Sequence, residues 1–201
     1  MEILVGREAP NFVVPAVLGN GDVVEGFELR ESIQNKYGLV FFYPLDFTFV
    51  CPSELIALDH AIGDFCKRNV EVVAISVDSQ FSHRTWRGIP VERGGIGPVR
   101  YTLASDISHK VCRSYGVEHP KTGVALRGSF LIDKQGIVRS QIVNDLPLGR
   151  SIPEILRIID ALQFTEKNGE VCPANWKKGD PGIRPSSEGI AEYLSEYASD
   201  L

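Results

Sequence analysis

Two nearly uninterrupted apolar runs constrain the fold of this chain more than any other feature. Residues 39–43 (Leu-Val-Phe-Phe-Tyr) form the first run, and residues 70–77 (Val-Glu-Val-Val-Ala-Ile-Ser-Val) form the second. Between them, apolar residues recur at helical spacing, which predicts one long helix over residues 51–68. Strands this apolar are typical of an α/β sheet that is covered on both faces. The order strand, helix, strand predicts a right-handed crossover between parallel neighbours.

Turn signals divide most of the remaining chain. Residues 12–17 and 23–29 flank Gly-Asn-Gly-Asp, which favours a β-hairpin. A second hairpin is predicted from residues 124–132 and 137–143, which flank Asp-Lys-Gln-Gly. Further helices are predicted over residues 79–87, over 106–115 and from 151 onward. The last has a buried face expected at Ile155, Ile158, Ile159 and Leu162.

The character of the chain changes after residue 167. Turn-forming Gly, Pro, Asn and Asp residues dominate there, before a short amphipathic segment at residues 190–197. The sequence therefore predicts a thioredoxin-like α/β domain over residues 1–167, with the N-terminal β-hairpin added to it. Residues 168–201 form an extended C-terminal arm that carries Cys172.

Bulk properties exclude several classes of function. The length of 201 residues suits one domain with an appendage. The net charge of −5 argues against binding to nucleic acid or to an anionic membrane. No apolar run approaches the roughly 20 residues of a membrane span. Since no secretory signal is visible at the N-terminus, we expect a cytoplasmic location.

Cys51 lies where the first apolar strand gives way to the helix pattern. Pro52 suits a first helical turn, and Glu54 favours the positive end of the helix dipole. A thiol close to unpaired backbone N–H groups is expected to have an enlarged thiolate fraction and to be reactive. The alternative is that Cys51 is a small buried apolar residue, the usual fate of a free cysteine.

Three polar residues could act on this thiol. Thr48 is either a loop or cap residue, or its hydroxyl faces the sulfur. Arg127, inside an apolar strand, either faces solvent from a sheet edge or faces Cys51, where its charge would stabilise a thiolate and a developing oxyanion. Arg150 is either a surface residue at a helix start or joins Glu54 in a network that holds Arg127.

The other cysteines, the aromatics and the histidines carry less information. None of the four cysteines forms a CxxC pair, which argues against a zinc ribbon or a thioredoxin-type dithiol. Cys172, on the arm, can condense with a sulfenic acid. We interpret Cys66 and Cys112 as core residues, and Phe47, Phe49 and Trp86 as packing residues. The histidines show no metal-ligand or Cys–His spacing, so no metal and no cofactor is predicted.

Five motifs together resemble the typical two-cysteine peroxiredoxins, the thiol peroxidases that include bacterial alkyl hydroperoxide reductase C. The resemblance runs from about residue 5 to the C-terminus, with every motif in the expected order. The motifs are Asp46-Phe-Thr-Phe-Val-Cys-Pro-Ser-Glu54, Val77-Asp-Ser-Gln80, Arg127-Gly-Ser-Phe130, Asn144-Asp-Leu-Pro-Leu-Gly-Arg-Ser151 and Glu170-Val-Cys-Pro173.

The resemblance implies a role for each residue that matches a family motif. Cys51 would be the peroxidatic cysteine, shielded by Pro44. Thr48 and Arg127 would hold the thiolate and polarise the peroxide O–O bond. Glu54 and Arg150 would orient Arg127. Cys172 would be the resolving cysteine, donated by the second subunit.

The resemblance also implies partners. Peroxides would be the substrates, and thioredoxin or a flavin disulfide reductase would restore the dithiol. A homodimer, assembled into a ring of five dimers, is the expected quaternary structure. A redox-switched oligomeric chaperone or a peroxide-signal relay is the alternative function. A cysteine hydrolase is disfavoured, because no histidine lies in a recognisable partner motif.

One departure from the family pattern concerns the C-terminal tail. Gly94-Gly-Ile-Gly97 resembles the loop that, together with a tail Tyr-Phe pair, makes some members prone to over-oxidation. Here Leu194 follows Tyr193, so a leucine replaces the aromatic residue. We expect intermediate sensitivity of Cys51 to sulfinic acid formation, which mass spectrometry after repeated peroxide turnover would measure.

Overall fold

The computed structural model describes residues 3–200, and strands from this part of the chain pair into a seven-stranded sheet. The strands are β1 (Val13–Val17), β2 (Val23–Glu28), β3 (Tyr37–Phe42), β4 (Val70–Ser76), β5 (Thr102–Ser105), β6 (Arg127–Ile132) and β7 (Val138–Asn144). Their order across the sheet is β2-β1-β5-β4-β3-β6-β7. Helices α1 (Leu29–Ser32), α2 (Cys51–His60), α3 (Ile62–Lys67), α4 (Gln80–Arg87), α5 (Lys110–Ser114), α6 (Ile152–Asn168) and α7 (Ser187–Tyr197) follow in chain order. Within residues 3–200, no helix has the length and apolar character needed to span a bilayer.

The centre of the sheet is formed by the two apolar runs. β3 pairs with β4 in parallel, and every residue of β3 is buried. The predicted parallel neighbours are therefore confirmed. β5, which the sequence pattern did not predict, pairs in parallel with β4 and antiparallel with β1. β5 is only four residues long, and it forms a strand because it pairs with β1 and β4. A local sequence pattern does not reveal such pairing.

Both predicted hairpins are confirmed. β1 pairs antiparallel with β2, and β6 pairs antiparallel with β7. Gly21, at φ 96°, and Gly136, at φ 82°, occupy the left-handed region in the two turns, a conformation that glycine adopts at little cost. In the second turn the buried Asp133 carboxylate accepts backbone hydrogen bonds of 2.9 Å from Gln135 and Ile137.

Two helix predictions were wrong in extent. The single helix expected over residues 51–68 is broken at Ala61 (φ −89°, ψ 0°) into α2 and α3. Gly63, a weak helix former in the first turn of α3, favours such a break. The helix expected over residues 106–115 is shortened to α5, because His109 lies in the left-handed region at φ 59°. The Asp106 carboxylate instead accepts hydrogen bonds from the α5 backbone at Val111 (3.1 Å) and Cys112 (2.7 Å).

The chain divides into two compact units, Met1–Ile152 and Pro153–Leu201. The first unit contains the whole sheet. The second contains nearly all of α6 and the whole of α7, with an isolated antiparallel bridge between Val171 and Ile183. In α6, Ile155 and Ile159 are buried, whereas Ile158 and Leu162 are partly buried. A domain boundary at 167/168 remains a prediction.

Candidate active site around Cys51

Cys51 is the first residue of α2, directly after the loop that leaves β3. Its side chain is fully buried, and Pro52 occupies the first helical turn as the sequence predicts. Burial agrees with both interpretations of this cysteine. The side chains around Cys51 therefore decide whether it is a reactive thiol or a core residue.

Arg127 is the neighbour that distinguishes a reactive Cys51 from a core residue. At the start of β6, its Nη1 lies 3.5 Å from Cys51 Sγ and donates to Glu54 Oε2 at 2.8 Å. Its Nε donates to the carbonyl oxygen of Leu146 at 2.6 Å. The side chain is only 4% exposed, so the alternative of a solvent-facing edge arginine is wrong. A fixed positive charge beside the sulfur stabilises a thiolate.

Glu54, one turn into α2, joins this arginine to a second one. Arg150 donates to the Glu54 carboxylate from Nε (2.8 Å), from Nη2 (3.0 Å) and from its backbone N–H (2.8 Å). Burial alone would raise the pKa of Glu54, but the hydrogen bonds and charge of Arg150, with the charge of Arg127, hold that pKa below its ordinary value. Glu54 is therefore a carboxylate at neutral pH, and it fixes both guanidinium groups.

Arg150 is itself held from three further sides. Its Nη1 donates to Gly128 O (2.7 Å) and to Ser129 Oγ (3.2 Å), and its guanidinium lies 3.2 Å from the centroid of the Phe41 ring. The side chain is 1% exposed, so the surface alternative is wrong. Burial lowers the pKa of Arg150, and the charge and hydrogen bonds of Glu54 oppose that shift.

Gly128 is required where Arg150 meets β6. A Cβ at this position would lie 2.9 Å from Phe130 Cε2 and 3.0 Å from Val117 Cγ1, closer than packed side chains allow. The absence of a side chain lets the strand pack there while its carbonyl accepts from Arg150.

Thr48 and Pro44 line a pocket rather than contacting the sulfur by a hydrogen bond. The Thr48 hydroxyl donates to Leu45 O at 2.8 Å, which fixes the loop and leaves its oxygen lone pairs available as acceptors. The pocket has a volume of about 590 Å³, and Arg127 contributes to its wall. Its remaining lining is mainly apolar: Leu45, Phe49, Val50, Thr122, Val124, Leu146 and Pro147.

A buried polar network supports the loop that carries Thr48, and sequence reasoning missed it. The Asp46 carboxylate accepts from Tyr43 Oη at 2.8 Å and lies 2.9 Å from His83 Nδ1. His83 Nε2 lies 3.2 Å from Ala104 O, and the Asp46 N–H donates to Asp78 Oδ2 at 2.8 Å. Burial, then the charge of Asp46, raises the pKa values of Tyr43 and Asp78.

The missed network left almost no local signal. Tyr43 and Asp46 are close in sequence, but His83 and Asp78 belong to α4 and to the segment before it. Because the four side chains converge only after β3 and β4 pair and α4 packs, neither hydrophobic periodicity nor spacing reveals them.

Cys172 lies in the second unit, where its thiol has neighbours of its own. Sγ lies 3.6 Å from Ala161 O and 3.8 Å from Thr165 Oγ1, both on α6. The residue is partly buried, and all four cysteines are free thiols. Trp176, also predicted as part of the arm, is buried and donates from Nε1 to Asp180 O at 3.0 Å.

The predictions that Cys66 lies in the core and that Phe49 is a packing residue were wrong. Cys112 is buried as expected, but Cys66 is exposed. Phe49 is 96% exposed, and Phe47 is 54% exposed although its ring lies 5.6 Å from that of Trp86. An apolar residue in a loop does not by itself show whether another surface covers it.

Sequence comparison decides the family. The model of the AhpC/TSA family matches residues 5–141, and that of the C-terminal domain of 1-Cys peroxiredoxin matches residues 161–196. The chain belongs to the AhpC/TSA family. Alkyl hydroperoxide reductase C of Buchnera aphidicola is 50% identical over 98% of this chain and 100% of the relative, and that of Helicobacter pylori is 48% identical over 99% and 100%.

A solved relative confirms the fold of this AhpC/TSA member. The reduced 2-Cys peroxiredoxin of Plasmodium vivax superposes with a TM-score of 0.93, at 51% identity, over 96% of this chain and 100% of that one. The predicted thioredoxin-like α/β fold is thereby confirmed, as is the resemblance to peroxiredoxins. The chain is a thiol peroxidase, which uses a peroxide substrate and a reductant, and the chaperone or relay alternative is not favoured.

Proposed function

We propose that this protein reduces hydrogen peroxide and organic hydroperoxides at Cys51. The observation that carries the proposal is the 3.5 Å contact between Arg127 Nη1 and Cys51 Sγ, with Arg127 fixed by the Glu54–Arg150 pair. A cysteine that only filled the core would not face a buried guanidinium that Glu54 and the carbonyl of Leu146 hold in place.

The proposed reaction is a two-electron displacement at oxygen. The Cys51 thiolate attacks one peroxide oxygen, an S–O bond forms and the O–O bond breaks. The leaving hydroxide or alkoxide takes a proton and departs as water or alcohol, while the sulfur is oxidised to a sulfenic acid. Negative charge therefore moves from sulfur to oxygen, and donors aimed at those oxygens accelerate the step.

The surrounding residues have distinct proposed roles. Arg127 stabilises the thiolate and polarises the O–O bond, while Thr48 presents its hydroxyl oxygen to the protonated peroxide oxygen. Pro44 shields the sulfur from water. Glu54 and Arg150 are positioning residues, since they act through Arg127. The mainly apolar pocket beside Arg127 supports acceptance of organic hydroperoxides as well as hydrogen peroxide.

Resolution requires Cys51 to leave its buried position. We propose that the first turn of α2 unwinds, so that the Cys172 thiol of a second subunit attacks the sulfenic sulfur. A disulfide forms and water leaves. Thioredoxin or a flavin disulfide reductase then supplies two electrons and two protons. A homodimer, a ring of five dimers and a cytoplasmic location are parts of the same proposal.

Cysteine variants test this sequence of steps. Cys51→Ser should abolish turnover, whereas Cys172→Ser should consume one peroxide per subunit and then stall unless a small thiol is added. Cys66→Ser, which removes an exposed thiol, is the matched control and should keep wild-type turnover. Normal turnover by Cys51→Ser would refute the proposal.

A non-reducing gel tests where the disulfide forms. After peroxide treatment we expect a band near twice the chain mass, which is lost in Cys51→Ser and in Cys172→Ser but kept in Cys66→Ser. A monomer band of altered mobility would place the disulfide within one chain and contradict the intersubunit step.

A further inference from the structure

A second group of reactive side chains lies beside α5, and the proposed peroxidase chemistry does not use it. His109, Cys112 and Glu118 each direct one ligand atom towards the others, and these atoms all lie within 4.8 Å of one another. His109 Nδ1 and Glu118 Oε1 are 3.0 Å apart. This triad is distinct from the residues around Cys51.

We propose that His109, Cys112 and Glu118 form a binding site for a divalent cation of the zinc class. Imidazole nitrogen, thiolate sulfur and carboxylate oxygen are the three ligand types that Zn²⁺ accepts in proteins. Tetrahedral coordination with bonds of about 2.0 to 2.3 Å places ligand atoms roughly 3.3 to 3.6 Å apart. The observed spacing therefore requires only small side-chain rotations.

Burial divides the site into a closed side and an open side. Cys112 is 1% exposed, so its sulfur lies at the protein end of the site. The side chains of His109 and Glu118 are 31% and 24% exposed, respectively, which leaves a path for the ion and a place for water as the fourth ligand. Three protein ligands with one solvent position is a known zinc arrangement.

The residues around the triad orient its ligands. Arg113 donates to Glu118 from Nε (2.8 Å) and Nη2 (3.0 Å), which fixes the plane of the carboxylate. The Cys112 N–H donates to Asp106, which anchors the first turn of α5. Such hydrogen-bonded outer groups are typical supports of metal ligands.

The local charge also favours a dication. Two carboxylates, Asp106 and Glu118, and one cation, Arg113, act electrostatically on the Cys112 sulfur. The S–H donates to His109 O at 3.3 Å. On binding, an S–Zn bond forms and the thiol proton passes to the buffer, while the imidazole proton that faces Glu118 moves from Nδ1 to Nε2, so that Nδ1 can bind the metal. The charges of the ion, thiolate, Glu118, Asp106 and Arg113 then sum to zero.

A bound ion would stabilise the segment that leads to the peroxide site. Glu118 forms an isolated antiparallel bridge with Ala125, two residues before Arg127. An ion bound by Glu118, His109 and Cys112 would link this bridge to the start of α5. The expected consequence is a rise in thermal stability on adding zinc.

The test is calorimetric titration of the reduced full-length protein with zinc chloride. A Cys51→Ser/Cys172→Ser background removes the two thiols that would otherwise compete for the metal. We expect one Zn²⁺ per chain, and binding at least about 100-fold weaker in His109→Asn and in Glu118→Gln. Asparagine suits position 109, because it tolerates the left-handed backbone there.

Two controls separate coordination from lost ion pairing and from nonspecific thiol binding. Arg113→Gln removes the same ion pair as Glu118→Gln but keeps the ligand, so it should retain the stoichiometry of one. Cys66→Ser should also bind like the background. Titration with Co²⁺ alone should produce a sulfur-to-metal charge-transfer band that Cys112→Ser lacks.

The proposal is overturned by either of two results. One is that the background protein binds no zinc. The other is that His109→Asn and Glu118→Gln bind zinc as tightly as Arg113→Gln and Cys66→Ser. If Cys112→Ser fails to fold, these two ligand variants still decide the outcome, and zinc should raise the melting temperature of the background but not of either variant.

Discussion

Cys51 and Cys112 are both buried thiols at the start of a helix, but their neighbours carry opposite charge. The Nη1 atom of Arg127 lies 3.5 Å from Cys51 Sγ, and Glu54, which accepts from Arg127, also accepts from Arg150. Cys112 lies among Asp106, Glu118 and Arg113, and burial followed by the charge of Asp106 raises its pKa to about 12. Both thiols lie in the first turn of a helix and are buried, but Cys51 has a cation beside its sulfur, whereas Cys112 has more carboxylates than cations around it.

The comparison teaches that a helix start is not sufficient to activate a thiol. A fixed cation close to a buried sulfur favours its anionic form, because the charge replaces hydration that burial removes. Where carboxylates surround the sulfur, the thiol keeps its proton unless a metal ion provides the positive charge. Four variants test this difference, from the largest expected effect to the smallest.

Removing the cation beside Cys51 should have the largest effect. Arg127→Gln keeps a hydrogen-bond donor but loses the charge, so kcat/KM for hydrogen peroxide should fall by about 10²- to 10³-fold. Stopped-flow peroxide consumption measures it. Arg113→Gln removes the arginine near Cys112 and should keep wild-type kcat/KM. An equal loss in both variants would mean that net charge, rather than the contact with Cys51, controls the rate.

Removing the carboxylate between the two arginines should affect stability. Glu54→Gln leaves two buried guanidinium groups without a counter-charge, which typically costs about 3–5 kcal/mol. Urea unfolding measures the free energy at each pH. Because the folded-state pKa of Glu54 is lowered from 4.5, its contribution is complete above pH 4.5 and is lost as pH falls through the folded value. A difference from wild type that grows on acidification would contradict this account.

Cys112 should produce the opposite pH dependence. Its pKa is raised from 9.0 to about 12, so its contribution is complete below pH 9.0 and is lost as pH rises towards 12. Urea unfolding above pH 9 should therefore show a shallower loss of stability for Cys112→Ala than for wild type. Cys66→Ala should keep the wild-type slope. Equal slopes in all three proteins would show that Cys112 does not titrate abnormally.

Changing one carboxylate near Cys112 should have the smallest effect. Asp106→Asn removes a negative charge and keeps one of the two oxygens that accept from the α5 backbone. The pKa of Cys112 should fall, and its alkylation by a small reagent should begin at lower pH. Mass spectrometry of metal-free protein over a pH series measures this shift. An unchanged profile would leave burial alone as the cause of the raised pKa.

Much of the site could be predicted from local sequence. The apolar runs predict β3 and β4, and Pro52 and Glu54 mark the start of α2 at Cys51. Arg127 is recognisable because a charged residue within an apolar strand needs a buried partner. The residues alone left open whether Arg150 joins Glu54 in holding Arg127, and the resemblance to two-cysteine peroxiredoxins implied that they do.

Other features depended on contacts between distant segments. β5 is a strand because β1 and β4 flank it, and the single helix expected over residues 51–68 is two helices. The residues His109, Cys112 and Glu118 are close in sequence, but their ligand atoms come within 4.8 Å of one another only in the folded chain, where His109 has a left-handed backbone.

The sequence by itself determined the periodicities, the turns and the position of Cys51 at a strand-to-helix junction, because these depend on neighbouring residues. Only the tertiary structure decided that Arg127 faces the sulfur, that Cys66 and Phe49 are exposed, and that Cys112 lies among carboxylates. The physical reason is that the state of a thiol depends on charges within a few ångströms, and the residues that carry those charges here lie as many as 76 positions apart in the chain.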